Sequence, residues 1–487
     1  MTKEHHLSDL IGRPVSPDPL IANVSLHSGT VAPGTLFAAL PGIKADGSAY
    51  IDQAIAAGAA AIIAPEGTVI ADASVALVTD PNPRLLFSQV CARFFEEQPQ
   101  MIAAVTGTNG KTSVAQFTRE LWALAGHKAA SLGTIGLIAP HMVRSGSLTT
   151  ADTVTLHRDL AALAENGVTH LCMEASSHGL HQYRLDGVDI SVAGFTNLSR
   201  DHLDYHGTME EYLAAKMRLF TELLPRGGTA VLNADIPEFA AMASAIKSAG
   251  RKVMGYGHQA TDLRIKSRRL LPDGQILHIE AGGQLYEITL PLIGEFQAMN
   301  VLCAAGMAIA SGENVASVLN SLPSLSPVRG RMELAGKHPS GAPVFVDYAH
   351  TPDGLETVLK ALRPHTEHKL HVVFGCGGDR DRGKRPMMGK IAADLADHVI
   401  VTDDNPRTEN PAAIRAEIMA AATGATEIGD RADAIAAAIK ALKTGDTLVI
   451  AGKGHEQGQI VGTDVRPFDD VSVARAALDT ITKQEVA

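Results

Sequence analysis

IAAVTGTNGKTS, residues 102–113, is the stretch of sequence that decides the fold. The apolar run at residues 102–106 leads into a loop with two glycines, and a helical pattern follows over residues 114–125. Glycines let the backbone turn tightly, so that several N–H groups point at phosphate oxygens, and the helix N-terminus adds the positive end of its dipole. In such a loop Lys111 neutralises phosphate charge and the Thr112 hydroxyl ligates magnesium. The stretch therefore predicts a strand–loop–helix unit that binds a nucleoside triphosphate.

The match to the standard phosphate-loop pattern is incomplete. That pattern has a glycine five positions before Gly110, where this chain has Val105. The alternative interpretation is a glycine-rich turn with an exposed lysine. The strand before the loop and the helical pattern after it favour phosphate binding.

The composition is that of an ordinary soluble globular protein, with 45% hydrophobic residues and a mean hydropathy of +0.07. The net charge of −11 argues against a general nucleic-acid binder, which needs a basic surface. A small anionic substrate needs only a few local cations, so that class of ligand stays open.

The cysteines and the first residues indicate the compartment. Four widely spaced cysteines form no CxxC pair, so a reducing cytosol is expected rather than a zinc site or a disulfide framework. The segment MTKEHHLSDL lacks the apolar core of a signal peptide, and no run of about 18 apolar residues occurs. We therefore expect a cytoplasmic protein that does not span a membrane.

Apolar runs alternate with helical patterns along most of the 487 residues, which predicts an α/β protein of about three domains. We expect domains at residues 1–98, 99–328 and 329–487, with a helix at residues 51–60 and a linker at 321–327. The second domain carries the phosphate loop and is expected to be of the ATPase type. The third alternates strands with helices and is predicted to be a doubly wound, Rossmann-like unit. Its expected strands are residues 344–346, 370–374, 398–402 and 447–451.

Two further segments of the central domain carry candidate functional residues. Glu174 ends the apolar strand at residues 170–173, where α/β sheets place their ligands, and it could take magnesium. The loop NLSRDHLDYHG, residues 197–207, holds two histidines and two aspartates. Taken alone, each feature is equally compatible with a polar surface.

A helix follows this loop, because Thr208 and Glu211 form a capping box. Lys216 falls in the apolar seam of that helix, which is made by Met209, Leu213, Phe220 and Leu223. The first interpretation is a lysine that snorkels to solvent. The second is a lysine that burial keeps neutral, which can add carbon dioxide and become an anionic carbamate. Periodicity alone favours snorkelling.

Together these motifs resemble those of the Mur ligase family, and the resemblance covers nearly the whole chain. The matching stretches are GTNGKTS (107–113), LTTAD (148–152), MEASSHGL (173–180), FTNLSRDHLDYHG (195–207), VRGRME (328–333), VDYAHTPD (346–353), GCGGDRDRGKRP (375–386), DNPRTENP (404–411) and AGKGHE (451–456). Within the family, the motifs are most similar to those of the members that add meso-diaminopimelate.

The resemblance implies an ATP-dependent, magnesium-dependent ligase of cell-wall peptidoglycan synthesis. Its substrates would be ATP, UDP-N-acetylmuramoyl-L-alanyl-D-glutamate and meso-diaminopimelate, and the product would form through an acyl phosphate. The implied catalytic and metal-binding set is Thr112 and Glu174 at a first magnesium, with His202 and carbamylated Lys216 at a second. The implied ATP contacts, beginning with the catalytic Lys111, are Gly107, Thr108, Asn109, Gly110, Lys111, Thr112, Ser113, Asn300, Arg331 and Asp347.

The resemblance also implies residues for the nucleotide-linked peptide: Leu26, Ser28, Ile43, Lys44, Ala45, Thr149, Thr150, Ser176, Gln182 and Arg184. This chain departs from the family pattern at two places. The family often has Asp-Ser-Arg at the positions of His27, Ser28 and Gly29, which leaves the uracil contacts open. Leu148 replaces a polar residue before the paired threonines, so Leu148 is expected to have no polar role.

The stretch DNPR carries the choice of amino acid. Meso-diaminopimelate differs from lysine by a distal carboxylate, which a fixed guanidinium can hold bidentately, and we assign that role to Arg407. The remaining residues of this expected site are Arg380, Asp404, Asn405, Pro406, Gly452 and Glu456, where Glu456 would pair with an ammonium. Without the family resemblance, Arg407 reads as a surface arginine in a proline turn.

Three alternative functions stay open at this point. A lysine-adding ligase of the same family is disfavoured by Arg407, and a folylpolyglutamate synthase by the N-terminal block and the DNPR stretch. A nucleotide-binding module without catalysis has no need to keep Lys111, Glu174, His202 and Lys216. We expect a monomer whose partners are small molecules rather than nucleic acid or membrane.

Overall fold

The computed structural model describes residues 5–42, 46–146, 148–271 and 274–486, with side chains to residue 482. The chain forms three main sheets that follow one another along the sequence, and helices pack on them. This arrangement confirms the predicted α/β fold. In the described part of the chain, no helix is both long enough and apolar enough to cross a membrane.

The first sheet is parallel and has four strands. In spatial order they are Asn23–Ser25, Thr35–Ala38, Ala59–Pro65 and Ala76–Asp80. Its helices are Leu7–Ile11, Ile51–Ala56 and Pro83–Phe95, and His5–His6 pairs with Leu20–Ile21 beside them. The helix expected at residues 51–60 is therefore too long in our prediction. Gly58 has a positive φ of 97°, which ends the helix and turns the chain into the next strand.

The second sheet has eleven strands and carries the phosphate loop. In spatial order they are Met142–Arg144, Gly136–Ala139, Ala129–Gly133, His170–Glu174, Met101–Thr106, Ile190–Phe195, Thr229–Asn233, Lys252–Gly257, Leu263–Leu271, Gly274–Ala281 and Gln284–Leu290. The strands from Ala129–Gly133 to Leu263–Leu271 pair in parallel, and antiparallel strands close both edges. Met101–Thr106 lies inside the sheet, which explains its unbroken apolar run.

Helices cover both faces of the second sheet and bury its apolar side chains. They are Lys111–Leu124, Thr153–Glu165, Ser177–His181, Leu203–His206, Met209–Arg218, Phe239–Ser248, Glu295–Ala310 and Val315–Ser321, with a π-helical turn at Leu219–Leu223. The expected linker at residues 321–327 is more ordered than predicted. It contains the short helix Leu322–Ser324, and Leu322 and Leu325 are buried in the core of the second sheet.

The third sheet has six strands and matches the predicted doubly wound unit. In spatial order they are Glu333–Lys337, Pro343–Asp347, Thr447–Ala451, Leu370–Phe374, His398–Val401 and Thr426–Glu427, and all pairs are parallel except the first. Its helices are Pro352–Leu362, Lys384–Leu395, Pro411–Met419, Arg431–Lys440 and Asp470–Val486. A hairpin of Gly458–Val461 and Asp464–Pro467 extends from this unit.

Candidate active site

The phosphate loop begins where the strand Met101–Thr106 ends. Gly107 and Gly110 have positive φ values of 143° and 90°, and the helix starts at Lys111. A Cβ on Gly107 would lie 1.9 Å from Thr196 Oγ1, and one on Gly110 would lie 2.3 Å from Asn300 Oδ1. Only glycine fits these two positions. Val105 still belongs to the strand and is fully buried, so a shorter loop replaces the standard one.

Two lysine amines meet at one carbonyl oxygen of this loop. Lys111 Nζ donates to the Gly107 oxygen at 2.9 Å, and Lys216 Nζ donates to the same oxygen at 2.8 Å. Lys216 is 1% exposed and lies 4.2 Å above the Tyr212 ring. Burial holds the pKa of Lys216 well below its usual range, and the charge of Lys111 lowers that pKa further. The snorkelling that periodicity favoured does not occur.

Acidic and histidine side chains complete this cluster. Glu174 is 2% exposed, and its carboxylate accepts hydrogen bonds from the Thr134 N–H at 2.8 Å and the Thr134 hydroxyl at 3.0 Å. His202 begins a short helix with a φ of 55°, and its Nε2 lies 3.4 Å from Asp201 Oδ2. Burial lowers the pKa of Lys111, against the opposing charges of Glu174 and Asp201. We term Lys111, Glu174, Asp201, His202 and Lys216 the lysine wall.

Two of the three remaining residues expected at ATP, Asn300 and Arg331, contact the phosphate loop, and they come from two domains. Asn300 projects from Glu295–Ala310 onto Gly110. Arg331 Nη2 donates to Thr112 Oγ1 at 3.1 Å, while its Nη1 is buried and has no partner among the described residues. An orphaned buried guanidinium N–H beside a phosphate loop fits an anionic ligand. The third residue, Asp347, is buried, and its carboxylate accepts hydrogen bonds from the N–H groups of Met332 and Ala349, both at 2.7 Å.

A cavity of about 680 Å³ lies between the second and third units. Its lining from the second unit includes Thr149, Thr150, Ser176, Arg184 and His202. Its lining from the third unit includes Arg380, Asp404, Asn405, Arg407, Gly452 and Glu456. Most of the sequence-predicted residues for the two organic substrates therefore face one cavity. Leu148 also lines it and is 49% exposed.

Hydrogen bonds tie the second-unit residues into a continuous surface. The Thr150 hydroxyl donates to the Glu174 carbonyl at 2.9 Å and accepts the Ser176 N–H at 2.9 Å. Arg184 donates to the Thr150 carbonyl at 2.7 Å and to Gln182 Oε1 at 2.7 Å. Thr149 accepts the Thr134 hydroxyl at 3.0 Å.

The two described residues predicted for the first unit, Leu26 and Ser28, do not line this cavity. Ser28 Oγ donates to Gln53 Oε1 at 3.0 Å, and Leu26 packs on the core of the first sheet. Ile43, Lys44 and Ala45 lie outside the described residues.

The far end of the cavity, in the third unit, carries two arginines with like charges. Arg407 is half-buried and has a φ of 51°, with its N–H donating to the Ile460 carbonyl at 3.0 Å. Its guanidinium donates to the Gly378 carbonyl at 2.8 Å, and burial followed by the charge of Arg380 lowers its pKa. In the described part of the chain, neither arginine forms an ion pair with a carboxylate. Such a pair of cations suits an anionic ligand group.

Acidic groups lie near these arginines. Glu456 Oε2 accepts from Asn405 Nδ2 at 2.8 Å and from the buried Lys453 Nζ at 3.1 Å. Asp404 is 7% exposed, and a Cβ on Gly452 would lie 2.7 Å from its carboxylate. We term Arg380, Asp404, Arg407 and Glu456 the arginine wall. Cations and anions side by side can hold a zwitterionic ligand such as an amino acid.

Several residues that make contacts around the active site lie in motifs noted in the sequence but were given no role there. Asp353 Oδ2 accepts from Asn109 Nδ2 at 2.9 Å and from Ser199 Oγ at 3.0 Å, which joins the third unit to the phosphate loop. Lys384 donates to the His350 carbonyl at 2.8 Å at the cavity surface. Asp201 stands next to His202, and that adjacency was the signal that could have identified it.

Comparisons with known proteins agree with this geometry. The chain matches the family models "Mur ligase family, catalytic domain" over residues 20–104, "Mur ligase middle domain" over 105–308 and "Mur ligase, glutamate ligase domain" over 330–454. Two relatives carry the name UDP-N-acetylmuramoyl-L-alanyl-D-glutamate–2,6-diaminopimelate ligase. The protein of Caulobacter vibrioides is 53% identical over 99% of this chain and 100% of its own length. That of Bradyrhizobium diazoefficiens is 54% identical over 97% and 99%.

Solved structures extend the comparison to three dimensions. A structure of a ligase with the same name has 34% identity and a TM-score of 0.72, covering 98% of this chain and 99% of its own. A folylpolyglutamate synthase of Mycobacterium tuberculosis has 20% identity and a TM-score of 0.64, covering 81% and 93%. At that identity the second likeness concerns the fold alone.

Proposed function

The chain belongs to the Mur ligase family, and from this membership we propose that it joins 2,6-diaminopimelate to UDP-N-acetylmuramoyl-L-alanyl-D-glutamate in an ATP-dependent step of peptidoglycan synthesis. The observation that carries the proposal is the presence of two guanidiniums, Arg380 and Arg407, that form no ion pair with any described carboxylate and line the same cavity as His202 of the lysine wall. Relatives with this activity in their names align over nearly the full length.

The chemistry requires activation of a carboxylate, because direct attack by an amine would have to expel oxide. Transfer of the ATP γ-phosphoryl group to the D-glutamate γ-carboxylate gives an acyl phosphate and ADP. The amine of diaminopimelate then attacks the acyl carbon, phosphate leaves with the C–O bond electrons, and the amine loses a proton. Both partners of the first step are anions, so the enzyme has to offset their repulsion.

The lysine wall is suited to that task. We assign Lys111 and the N–H groups of residues 110–113 to the β- and γ-phosphates, since these N–H groups lie at a helix N-terminus, whereas those of Thr108 and Asn109 donate to Asn197. The unpartnered Nη1 of Arg331 would reach another phosphate oxygen. These groups are fixed before the reaction, which is the condition for electrostatic stabilisation of developing charge.

The donor set also fits magnesium, which prefers oxygen ligands. We assign Thr112 and Glu174 to one ion, and His202 together with a carbamylated Lys216 to a second. Bound there, magnesium would neutralise phosphate charge during phosphoryl transfer. The protein fixes Glu174 through Thr134, so this carboxylate is held in place without an ion.

The surroundings of Lys216 support its carbamylation. Its buried amine has one hydrogen-bond acceptor in the described structure, and that acceptor is shared with Lys111. A lysine with a strongly lowered pKa is largely neutral, and the neutral amine is the form that adds carbon dioxide. The resulting carbamate anion would convert repulsion from Lys111 into attraction.

The division of labour between the domains follows from these assignments. We propose that residues 1–98 hold the uridine end of the nucleotide-linked peptide, 99–328 bind ATP, and 329–487 bind the amino acid. Thr149, Thr150, Ser176, Gln182 and Arg184 would then line the path of the sugar and peptide. Its D-glutamate end would reach the lysine wall, while the amino acid would approach from the arginine wall.

The arginine wall accounts for the choice of amino acid. We assign Arg407, with Arg380, to the distal carboxylate of meso-diaminopimelate, and Asp404 and Glu456 to ammonium groups, with Asn405, Pro406 and Gly452 shaping the site. Lysine lacks that carboxylate and would leave the two cations unneutralised. Arg407 is half-buried and Arg380 exposed, so leaving them unpaired should cost about 1–2 kcal/mol, which is sufficient for selection.

The test is ADP release measured with four substrate sets: complete with meso-diaminopimelate, complete with lysine, complete with dihydrofolate and glutamate, and ATP alone. We expect turnover only with the nucleotide-linked dipeptide and meso-diaminopimelate. Equal turnover with lysine would overturn the role of Arg407, and turnover with the folate set would overturn the function. Release with ATP alone would indicate uncoupled hydrolysis. The monomeric state and cytoplasmic location stay predictions.

A further inference from the structure

Three metal-ligating side chains meet at the amino-terminal ends of the parallel strands of the second sheet, and none of them lines the active-site cavity. They are His127, His170 and Glu313, and one ligand atom of each lies within 4.8 Å of the others. His127 Nε2 lies 2.7 Å from Glu313 Oε1, and the two imidazoles stack with ring centroids 3.8 Å apart. All three side chains are half-buried, so an ion can reach them. None of them has a role in the proposed reaction.

We propose that His127, His170 and Glu313 form a binding site for a divalent transition-metal ion of the Zn²⁺ class. Two imidazoles and one carboxylate are a ligand set that zinc, nickel and copper accept, with ligand distances of about 2 Å. His170 Nδ1 forms a hydrogen bond with the Thr169 hydroxyl at 2.9 Å. This bond holds the orientation of the ring and leaves Nε2 to bind the ion.

The ligands come from three elements that also build the ATP site. His127 follows the helix that starts at Lys111, His170 starts the strand that ends at Glu174, and Glu313 follows the helix that carries Asn300. An ion would join the far ends of these elements. Its expected role is to stabilise the central unit rather than to take part in the chemistry.

The chain contains a built-in reporter for this site. Trp122 is the only tryptophan, and its ring lies 5.1 Å from the ring of His170. Along the helix it is about 16 Å from Lys111, so metal at the nucleotide site has less effect on its emission.

Full-length, tag-free protein is titrated with Ni²⁺ in excess Mg²⁺ while tryptophan fluorescence is recorded. We expect saturable quenching at one equivalent, reversed by Zn²⁺, and a melting temperature raised by Zn²⁺ by about 2 °C or more.

Variants identify the ligands. His170→Phe keeps a ring against Trp122 but removes both nitrogens, and Glu313→Gln keeps the shape but removes the charge. Each should weaken Ni²⁺ binding at least about tenfold and abolish the Zn²⁺ shift in melting temperature. The control is His258→Ala, since His258 Nε2 also lies 2.7 Å from a glutamate, Glu295, and it should bind like the wild type.

Two results would overturn the proposal. One is the absence of saturable quenching in the wild type, which would leave an ordinary His–Glu ion pair. The other is quenching that persists unchanged in both ligand variants. Ligase activity without added transition metal, measured on each variant, verifies that the fold is intact.

Discussion

The lysine wall reaches the cavity through Asp201 and His202, whereas all four residues of the arginine wall line it, and the two clusters handle charge in opposite ways. In the lysine wall, Lys216 is buried and Lys111 half-buried, and both amines donate to the Gly107 carbonyl oxygen. In the arginine wall, the guanidinium of Arg407 is half-buried and donates hydrogen bonds to two backbone carbonyls, with acidic groups nearby. The first arrangement concentrates positive potential, whereas the second presents separate charges to a ligand.

The difference separates catalysis from recognition. Concentrated, preorganised charge is useful where negative charge develops in a transition state, so changes in the lysine wall should appear mainly in kcat. Matched but accessible charges distinguish ligands, so changes in the arginine wall should appear in the KM for the amino acid and in the ratio between amino acids. Each prediction below measures one side of this separation.

The largest expected effect is the loss of Lys111. Lys111→Ala removes the cation that faces the ATP phosphates, and we expect kcat to fall roughly 10³-fold. Steady-state ADP release measures it, with thermal melting to verify the fold. A kcat within a few fold of the wild type would contradict the assignment of this lysine to the phosphates.

Lys216→Ala tests whether the second lysine acts through a carbamate. We expect a fall in kcat of about 10²-fold or more, and partial recovery when formate, acetate or propionate supplies a carboxylate in the vacated space. The control is Lys247→Ala, an exposed lysine of the same unit, which should neither lose activity nor respond to the acids. A folded Lys216→Ala protein that never responds to any of the three acids speaks against the carbamate.

Arg407→Ala tests the recognition side. Loss of one charge partner for the distal carboxylate should cost about 2 kcal/mol or more, which is roughly a 30-fold fall in kcat/KM for meso-diaminopimelate. Most of it should be a rise in KM, and the slow reaction with lysine should not fall. Arg382→Ala is the matched control, because that arginine is 64% exposed, pairs with Glu417 and lies outside the cavity lining. Equal losses for both amino acids would show that Arg407 supports the fold instead.

The two walls also differ in how far the sequence predicted them. The phosphate loop depends on local features, namely a buried strand, two glycines and a helix start, so residues 102–113 predicted it directly. Helical periodicity alone predicted the wrong environment for Lys216, because the same spacing fits a lysine that snorkels to solvent and one that is buried. Tertiary packing decides between them, here through Tyr212 and the Gly107 carbonyl.

The arginine wall could not be derived from local pattern. Arg407 and Glu456 are far apart in sequence, and the left-handed backbone of Arg407 depends on its bond to Ile460 in a distant hairpin. Family resemblance supplied what spacing could not. For the same reason Asp353 was overlooked: its contact with Asn109 spans two domains.

The smallest expected effect concerns a second arginine of the third unit, Arg385. We assign it a structural role, in contrast to the ligand-binding role of Arg407. Arg385 is fully buried and pairs with Glu409 at 2.8 Å and Glu417 at 3.0 Å, so it has no charge to offer a ligand. Its contact lowers the pKa of Glu409 to about 2.

A carboxylate whose pKa is lowered in the folded state stabilises the protein above its ordinary pKa, and that stabilisation is lost as the pH falls toward the folded-state value. Glu409→Gln should therefore lower the free energy of unfolding by about 1 kcal/mol or less at pH 7, with a difference that shrinks below pH 4.5. Urea denaturation at pH 7 and pH 4 measures this difference in stability.

The KM of the Glu409→Gln variant for meso-diaminopimelate should stay within about twofold of the wild type, because Arg385 keeps its ion pair with Glu417. A KM change as large as that of Arg407→Ala would mean that the two arginines belong to one charge network, and the distinction between structural and recognition arginines would then not hold.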